Sequence, residues 1–354
     1  MNNSRRTGNR IFTGLLILIT VIAAHVLVAG GNTPSTQLIQ HEALSLQCGW
    51  YFYDAWDQRN YVKKLPATIP ATEGRACLYI DTTDIPRLMP GDEFDRYLCF
   101  FARHQDITVR LDNRVIYHSE TRPSPAWIKS YRAMYHLVAL PPDFQLYRTI
   151  SIETDARIKS AAGQYDVVLL SGRSHLMQTV LISRHVRGLF GLSLLVAALF
   201  LFATAYIFHS FVKDDLSMLF LAALALCLGL WQLEDSRILQ FISGYQPLHW
   251  CLEYLTQIAM PIFTYLYLRH IDKDAENLAL RCLGSLTAAF PLLQLLLQVT
   301  GLVVLSDSVY LSYILYIYDC VYVIVYLHRQ ESSMLNTGLI AVFICSLVML
   351  SIHF

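Results

Sequence analysis

Two acidic residues inside long apolar segments are the first side chains whose type and position suggest chemistry. Asp319 lies in the aromatic-rich apolar run from Leu311 to Leu327, and Glu253 lies in another apolar run at 249–268. A charged side chain at the centre of a bilayer costs about 3 kcal/mol, so such residues usually face other helices or water. We interpret both as intramembrane coupling residues. The alternative for Asp319 is a packing residue bonded to a tyrosine hydroxyl, and Glu253 lies near the end of its run, where water would solvate it.

A second candidate is the segment from Thr121 to Arg132, which lies between two predicted strands. It contains a guanidinium group and two large aromatic rings at Arg122, Trp127 and Tyr131. Loops carried by a rigid β scaffold are frequent sites of ligand binding. We therefore predict that these three residues bind a small-molecule ligand.

Aromatic residues are also concentrated near the first predicted strand, at Trp50, Tyr51, Phe52, Tyr53 and Trp56. Such rings either fill a hydrophobic core or stack on sugar rings, and at the start of a strand the core interpretation is favoured.

No motif for catalysis or for metal binding is present. The sequence lacks a phosphate-binding glycine loop, the H-E-x-x-H zinc motif and the G-x-S-x-G nucleophile motif, and its 12 histidines are scattered. No cysteine spacing resembles a zinc site. We therefore expect a protein that is not an enzyme, with no catalytic residues, no metal site and no cofactor.

Composition identifies the broad class of protein. The chain of 354 residues is 55% hydrophobic and only 15% charged, with a mean hydropathy of +0.40 and a net charge of 0. A neutral chain has no basic surface for nucleic acid. Residues 31–187 contain 34 charged side chains, whereas residues 188–354 contain 17. This division predicts a water-soluble domain followed by a membrane domain.

Seven apolar runs are long enough, or nearly so, to cross a bilayer, which takes about 20 residues. The first, 11–30, follows three arginines and is either a cleaved signal peptide or a signal anchor. The other six predict an antiparallel bundle, at 188–212, 216–233, 249–268, 280–300, 308–327 and 334–354.

Lysine and arginine in the short connections predict the orientation of the chain. A cytoplasmic N-terminus places eight of them inside and leaves Arg237 alone outside; the eight are Arg5, Arg6, Arg10, Lys213, Arg269, Lys273, Arg281 and Arg329. Residues 31–187 are then extracytoplasmic in a multi-pass cell-membrane protein. Six later helices place Phe354 on the outer side, with no cytoplasmic output domain.

The soluble block has the pattern of an antiparallel β-sandwich or jelly roll. Short apolar runs such as Tyr97 to Ala102 alternate with proline-containing connections. Ile107 to Leu111 alternates apolar and polar residues, Asp112-Asn113 is a turn signal, and Arg114 to Tyr117 alternates again, which predicts a hairpin.

Three cysteines, Cys48, Cys77 and Cys99, fall in the soluble block. At most one disulfide can form among them, and buried thiols are the favoured alternative.

Several short stretches resemble bacterial seven-transmembrane receptors with diverse intracellular signalling modules, in particular members that carry GGDEF or kinase output domains. The similar stretches cover roughly residues 40–354 and are Cys48-Gly-Trp-Tyr-Phe52, Lys64-Leu-Pro66, Ile107 to Tyr117, His136-Leu-Val-Ala-Leu-Pro141, Leu228-Gly-Leu-Trp231 with Ser236, and Ala259-Met-Pro261. The resemblance implies an outer galactose-binding-like jelly roll that binds a small ligand, with carbohydrate as one candidate class. It also implies a bundle that passes the signal inward.

We therefore predict an α+β membrane protein with a signal segment at 1–32, an extracytoplasmic β-sandwich sensor domain at 40–180 and an all-α transmembrane bundle at 186–354. The predicted function is a receptor-like membrane sensor without its own catalytic output. Its expected partners are the ligand, the lipid bilayer, and either a membrane-embedded signalling protein or a second copy of the chain. The alternatives are a transporter or transport accessory subunit, and a truncated remnant of a GGDEF or kinase receptor.

Overall fold

The computed structural model describes most of the chain after residue 42. The described residues are 43–85, 96–119, 133–156, 161–209, 216–243, 245–271, 278–300, 302–303, 305–329 and the single positions 340, 343, 344 and 347. The predicted signal segment at 1–32, the predicted ligand-binding residues Arg122, Trp127 and Tyr131, and most of the apolar run at 334–354 lie outside these residues.

The chain divides into two compact units. Ser35–Arg184 and Gln240–His249 belong to the first, here called the β unit. The described residues of His185–Leu239 and Trp250–Phe354 belong to the second, here called the helical unit.

The β unit contains antiparallel strands that form three sheets among the described residues. The strands are β1 Leu44–Leu46, β2 Trp50–Tyr53, β3 Arg59–Tyr61, β4 Ala67–Thr68, β5 Arg75–Asp81, β6 Tyr97–Ala102, β7 Gln105–Leu111, β8 Arg114–His118, β9 Met134–Ala139, β10 Thr149–Ala156, β11 Gln164–Tyr165 and β12 Val168–Ser171. A six-stranded sheet has the order β3-β2-β5-β10-β7-β8, a four-stranded sheet has the order β1-β12-β6-β9, and β11 pairs with β4.

One hydrophobic core joins the two larger sheets. Leu78, Val109 and Ile152 of the six-stranded sheet share this core with Leu98 and Val138 of the four-stranded sheet, and all five are fully buried. Two sheets that bury their inner faces against each other form a β-sandwich-like arrangement. The predicted β character of this block is confirmed.

The predicted hairpin is also confirmed. β7 and β8 pair directly, with Leu111 opposite Arg114 across the turn at Asp112-Asn113. Along β7 the buried residues alternate with half-buried ones, as the alternating sequence predicted. Asp112 has a φ of 49° and its carboxylate accepts hydrogen bonds from the backbone N–H groups of Arg148 and Thr149, which anchors the turn to β10.

In the described part of the chain, five long helices follow the strands: α1 Arg173–His209, α2 Ser217–Asp235, α3 Gln246–Ile271, α4 Leu278–Thr300 and α5 Leu305–Arg329. Among the described residues, four helical stretches are long and apolar enough to cross a membrane, in α1, α2, α4 and α5. The protein is therefore a multi-pass membrane protein by the length and composition of its helices.

The helices depart from the prediction in two respects. α1 begins at Arg173, about four turns before the predicted span at 188, and its residues up to Arg184 group with the β unit. α3 is helical where a span was predicted, but it is not among the four apolar helices. Its polar residues, among them Glu253, Thr256 and Gln257, lower its hydropathy below that of its neighbours.

Helices α1 and α2 pack in close contact through two glycines. A Cβ atom at Gly191 would lie 2.8 Å from the backbone nitrogen of Leu233, and one at Gly229 would lie 3.0 Å from the carbonyl oxygen of Gly191. Small residues at helix interfaces in membranes allow this approach of the two backbones.

Candidate functional site

The outer face of the six-stranded sheet carries a cavity of about 390 Å³. Its polar lining comes from residues two apart on neighbouring strands, because side chains at i and i+2 share one face of a strand. The lining residues are Arg75, Ala76 and Cys77 of β5, Asp106 and Thr108 of β7, His118 of β8, and Glu153, Thr154 and Asp155 of β10. The volume is within the usual range for small-molecule sites.

Strand register places these side chains in two rows across the sheet. In the first row, Glu153 is opposite both Cys77 and Thr108, and Thr108 is opposite His118. In the second row, Asp155 is opposite both Arg75 and Asp106. In the sequence, this site is therefore marked by polar residues at every second position of β5, β10 and β7, which are neighbours in the sheet.

Hydrogen bonds hold the cavity side chains in place. The Nε of Arg110 donates to Glu153 Oε1 over 2.8 Å, and Arg75 Nε lies 3.3 Å from Asp155 Oδ2. The Thr108 hydroxyl lies 2.9 Å from His118 Nδ1, and His118 Nε2 lies 3.8 Å from Asp106 Oδ2. The second carboxylate oxygen of Asp106 accepts hydrogen bonds from the Ile107 backbone and from Ser119.

At β7 this arrangement lacks free backbone donors of the kind that nucleophilic catalysis uses. A hydroxyl, an imidazole and a carboxylate do follow one another at Thr108, His118 and Asp106, as in a hydrolase triad. However, β7 pairs with β10 on one side and β8 on the other, so its backbone N–H groups are used in the sheet and supply no oxyanion hole. Burial also raises the pKa of the Cys77 thiol to about 11, which keeps it protonated near neutral pH.

Four tyrosines extend the same face of the sheet beyond the cavity. Tyr51 stacks on Tyr79 with ring centroids 5.6 Å apart, and Tyr53 and Tyr61 contact this pair. The Arg59 guanidinium lies 3.5 Å from the Tyr51 ring centroid. Aromatic rings beside hydrogen-bonding side chains suit a polar ligand that also has an apolar face.

A carboxylate joins this tyrosine cluster. Asp81 accepts hydrogen bonds from Arg59 over 2.7 Å and from the Tyr51 hydroxyl over 2.9 Å. Burial alone would raise the pKa of Asp81, but these two donors outweigh it and hold the pKa below its ordinary value.

The aromatic run near the first strand therefore divides between two faces. Trp50 is fully buried in the core and Phe52 packs against that core, so the core interpretation is confirmed for them. Tyr51 and Tyr53 point to the outer face, where Tyr53 is 46% exposed, and Trp56 in the following turn is 82% exposed. Alternation along β2 explains this division.

Two ion pairs lie in the helical unit near the connection between α2 and α3. Arg237 donates two hydrogen bonds to Glu253, of 2.9 and 3.0 Å, and both side chains are at least nine-tenths buried. Arg187 of α1 pairs with Asp235 at the end of α2. Tyr313 of α5 interacts electrostatically with both Glu253 and Asp235, so four helices contribute to this cluster.

The interpretation of Glu253 as a solvated residue is wrong. Glu253 is 8% exposed and its carboxylate is used by Arg237. Burial alone would lower the pKa of Arg237, but the Glu253 carboxylate outweighs this and keeps it raised. Arg187, Asp235 and Arg237 were not identified as partners from the sequence. The sequence did contain a signal for one pair, because Arg237 lies on the short connection before α3, the helix that carries Glu253.

Asp319 lies in the interior of the helical unit with no exposed surface. Neither of its carboxylate oxygens has a hydrogen-bond partner among the described residues. The alternative that pairs Asp319 with a tyrosine hydroxyl is therefore not found in the described part of the chain. By contrast, Gln294 and Gln298 of α4 form hydrogen bonds with α5: Gln294 bonds Ser308 and Ser312, and Gln298 accepts from the Leu305 backbone N–H.

The cysteines of the β unit are free thiols, with Cys48 exposed, Cys77 half-buried and Cys99 buried. Over the residues that the structure describes, no three His, Cys, Asp or Glu side chains converge as metal ligands would.

Comparison with known proteins gave no relative. No protein-family model matches the sequence, and a search of curated proteins found no similar sequence. The candidate sites therefore rest on geometry.

Proposed function

We propose that this chain is a receptor-like membrane sensor. In this proposal the β unit binds a small polar ligand, and the helical unit transmits the conformational change that binding causes. The observation that carries the proposal is the cavity on the outer face of the six-stranded sheet. Its hydroxyl, carboxylate and guanidinium groups are fixed by their neighbours, and exposed tyrosines lie on the same face. Pre-positioned polar groups beside aromatic rings suit a neutral polyhydroxylated ligand such as a carbohydrate.

The predicted ligand-binding segment is close in sequence to this cavity. The segment with Arg122, Trp127 and Tyr131 comes shortly after His118, which lines the cavity, and after Ser119, which binds Asp106. We propose that these three residues also contribute to ligand binding. In this proposal the β unit is an extracytoplasmic jelly roll of the galactose-binding type, as in the seven-transmembrane receptors that the sequence resembles.

Two chain segments support a route for the signal. The division between the two units falls inside α1, at 184/185, so one uninterrupted helix contributes residues to both. The segment Gln240–His249 groups with the β unit, where Gln240 Oε1 accepts from the Tyr135 backbone N–H over 3.2 Å. This segment lies in the chain between Arg237 and Glu253, so a shift of the segment would strain their ion pair.

We propose Glu253, through Arg237, and Asp319 as the residues that couple such a shift to the packing of the bundle. The receiving partner would be a membrane-embedded signalling protein or a second copy of the chain. A ligand shifts the helical packing only if it binds the two states with different affinity.

The test is ligand binding by the full chain in lipid nanodiscs, with a panel of neutral mono- and disaccharides. We expect at least one sugar to raise the unfolding temperature in a concentration-dependent way. The variants Glu153→Gln and Thr108→Ala should weaken this effect about tenfold or more, because each removes a polar contact at the site. The variant Lys64→Ala, an exposed residue that does not line the cavity, is the matched control.

Absence of any sugar effect, or an equal effect in Glu153→Gln, would contradict the assignment of the ligand site. Reporter fusions at residue 150 and after residue 271 would test the orientation independently. We expect phosphatase activity from the first fusion and none from the second.

A second candidate, a transporter or transport accessory subunit, is favoured by one observation. Buried polar side chains line the inner faces of three helices, including Gln257 and Thr264 of α3, Thr287 of α4, and Ser312 of α5. Polar residues inside a bundle also mark transport pathways. Sugar uptake into proteoliposomes that is lost in Gln257→Leu would support this candidate over the sensor.

A further inference from the structure

Asp319 is a buried acid of the helical unit that takes part in neither of the two described ion pairs. It lies 14 residues after the start of α5 and 10 before its end, on the same face as the buried residues Ser312, Tyr316 and Val323. At 1.5 Å per residue, it lies about 20 Å along the helix from Leu305. Asp319 is therefore close to the middle of the helix and points into the packed interior.

The surroundings of Asp319 differ from those of Glu253. Glu253 has a guanidinium partner with two hydrogen bonds, so its negative charge is compensated. Asp319 is completely buried and neither oxygen has a hydrogen-bond partner among the described residues. An ionised carboxylate without water, a hydrogen bond or a countercharge is far more costly to bury than its neutral acid.

Among the described residues, no basic side chain bonds the Asp319 carboxylate. On its own helix, Asp319 interacts with the Cys320 thiol, which in turn contacts Tyr316. Elsewhere in the helical unit, two ion pairs join Arg187 to Asp235 and Arg237 to Glu253, and Glu234 of α2 is a further buried acid. Two of these charges act on Tyr313, which lies about 9 Å nearer the start of α5 than Asp319.

We propose that Asp319 is a proton-binding site. In this packing its carboxyl group holds a proton, and it releases that proton to water only in a second packing in which water reaches the interior of the helical unit. Proton release and helix repacking are then linked, so raising the pH favours the second packing. The inference rests on the burial of Asp319 and does not depend on ligand binding by the β unit.

The first test is pH-difference infrared spectroscopy of the full chain in lipid nanodiscs. We expect a carboxylic acid carbonyl band at neutral pH that disappears in Asp319→Asn and remains in Asp155→Asn, where the acid replaced is an exposed one of the β unit. Asparagine has nearly the shape of the neutral acid, so the packing should be kept. Absence of the band in the wild-type protein, or its persistence in Asp319→Asn, would overturn the proposal.

A second test needs no substitution and reports the linkage. Cys320 is fully buried beside Asp319, whereas Cys99 of β6 is buried in the β unit and serves as the internal reference. Both thiols would be labelled in the native protein and quantified by peptide mass spectrometry from pH 6 to pH 9. Linkage to one proton predicts that the ratio of Cys320 to Cys99 labelling rises about tenfold per pH unit.

Asp319→Asn should make this ratio independent of pH. A constant ratio in the wild-type protein would show that proton release does not open the interior at Asp319, and would overturn the proposal.

Discussion

Arg237 and Glu253 form a two-pronged ion pair with nitrogen–oxygen distances of 2.9 and 3.0 Å, although both side chains are almost completely buried. Arg237 has a φ of 60°, an uncommon backbone conformation for a residue with a side chain. A residue held in this conformation and paired with a buried acid indicates that the end of α2 and the start of α3 adopt one defined arrangement.

Removal of one member of this pair should destabilise the protein. We expect Glu253→Gln to lower the free energy of unfolding by about 3–5 kcal/mol, because it leaves the Arg237 charge buried without a countercharge. The measurement is denaturant unfolding in detergent, followed by tryptophan fluorescence. The control Asp155→Asn removes the partner of exposed Arg75 and should cost less than about 1 kcal/mol. Equal losses in the two variants would contradict the structural role of the pair.

The close contact of α1 and α2 should not tolerate even a methyl group. A Cβ at Gly191 would approach backbone atoms of α2 to 2.8 and 2.9 Å, so Gly191→Ala must push the helices apart. We expect a loss of about 1–3 kcal/mol in unfolding free energy, as for other overpacked sites.

Val196 of α1 provides the comparison for this variant, since it is 61% exposed. Val196→Leu should change stability by less than about 0.5 kcal/mol. Thermal unfolding with circular dichroism distinguishes the two, and an unchanged midpoint in Gly191→Ala would contradict the described helix contact.

Stability should fall on mild acidification because of a histidine in the core of the β unit. His136 of β9 is 2% exposed, and its Nδ1 lies 3.0 Å from the Tyr117 hydroxyl. Burial lowers the pKa of His136 to about 4, compared with about 6.5 in the unfolded chain. The unfolded state therefore binds the proton more strongly, so stability is full above pH 6.5 and is lost as the pH falls towards 4.

The expected loss over this window is at most about 3 kcal/mol, from about 1.4 kcal/mol per pKa unit. His136→Asn retains an acceptor for Tyr117 and removes the titrating group, so its unfolding temperature should depend less on pH between 7 and 4.5. His118→Asn, at an exposed histidine, is the control. An unchanged pH dependence in His136→Asn would rule out this histidine as the cause.

The contact between α4 and α5 should show energetic coupling between two polar side chains. The Ser312 hydroxyl donates to Gln294 Oε1 over 2.8 Å, and both residues are buried. A double-mutant cycle with Gln294→Ala and Ser312→Ala should give a coupling energy of about 0.6–1.7 kcal/mol, as for other hydrogen bonds between membrane helices. The pair Gln294→Ala and Thr287→Ala, without a mutual hydrogen bond, should be additive.

Local patterns were sufficient to predict the elements of the fold. Each of these elements buries its side chains in a regular pattern that is visible in the sequence. Examples are the alternation in β7, the apolar run of β6 and the long apolar runs of α2, α4 and α5. The helical start of α1 was not predicted because Arg173 to Arg187 is polar enough to resemble part of the soluble block, and its Leu176 and Val180 are in fact buried within the β unit.

The candidate sites were less accessible to sequence reasoning because they depend on pairing between distant segments. Asp106 and Asp155 share the cavity only because β7 and β10 are neighbours in the sheet. No local sequence pattern indicates the order of the strands. Asp319 and Glu253 were identified because an acid in an apolar run is conspicuous by itself. Their difference, one acid paired and one not, depends on Arg237, whose position required the fold.

The length of α1 has a mechanical consequence. Its 37 residues make a helix of about 55 Å, whereas the hydrocarbon part of a bilayer is about 30 Å thick. About 25 Å of the same rod therefore extends beyond the hydrocarbon. Since hydrogen bonds along the axis resist compression, a piston-like or rotary displacement applied near Arg173 reaches the opposite end with little attenuation. The membrane span and its extension are then parts of one continuous helix.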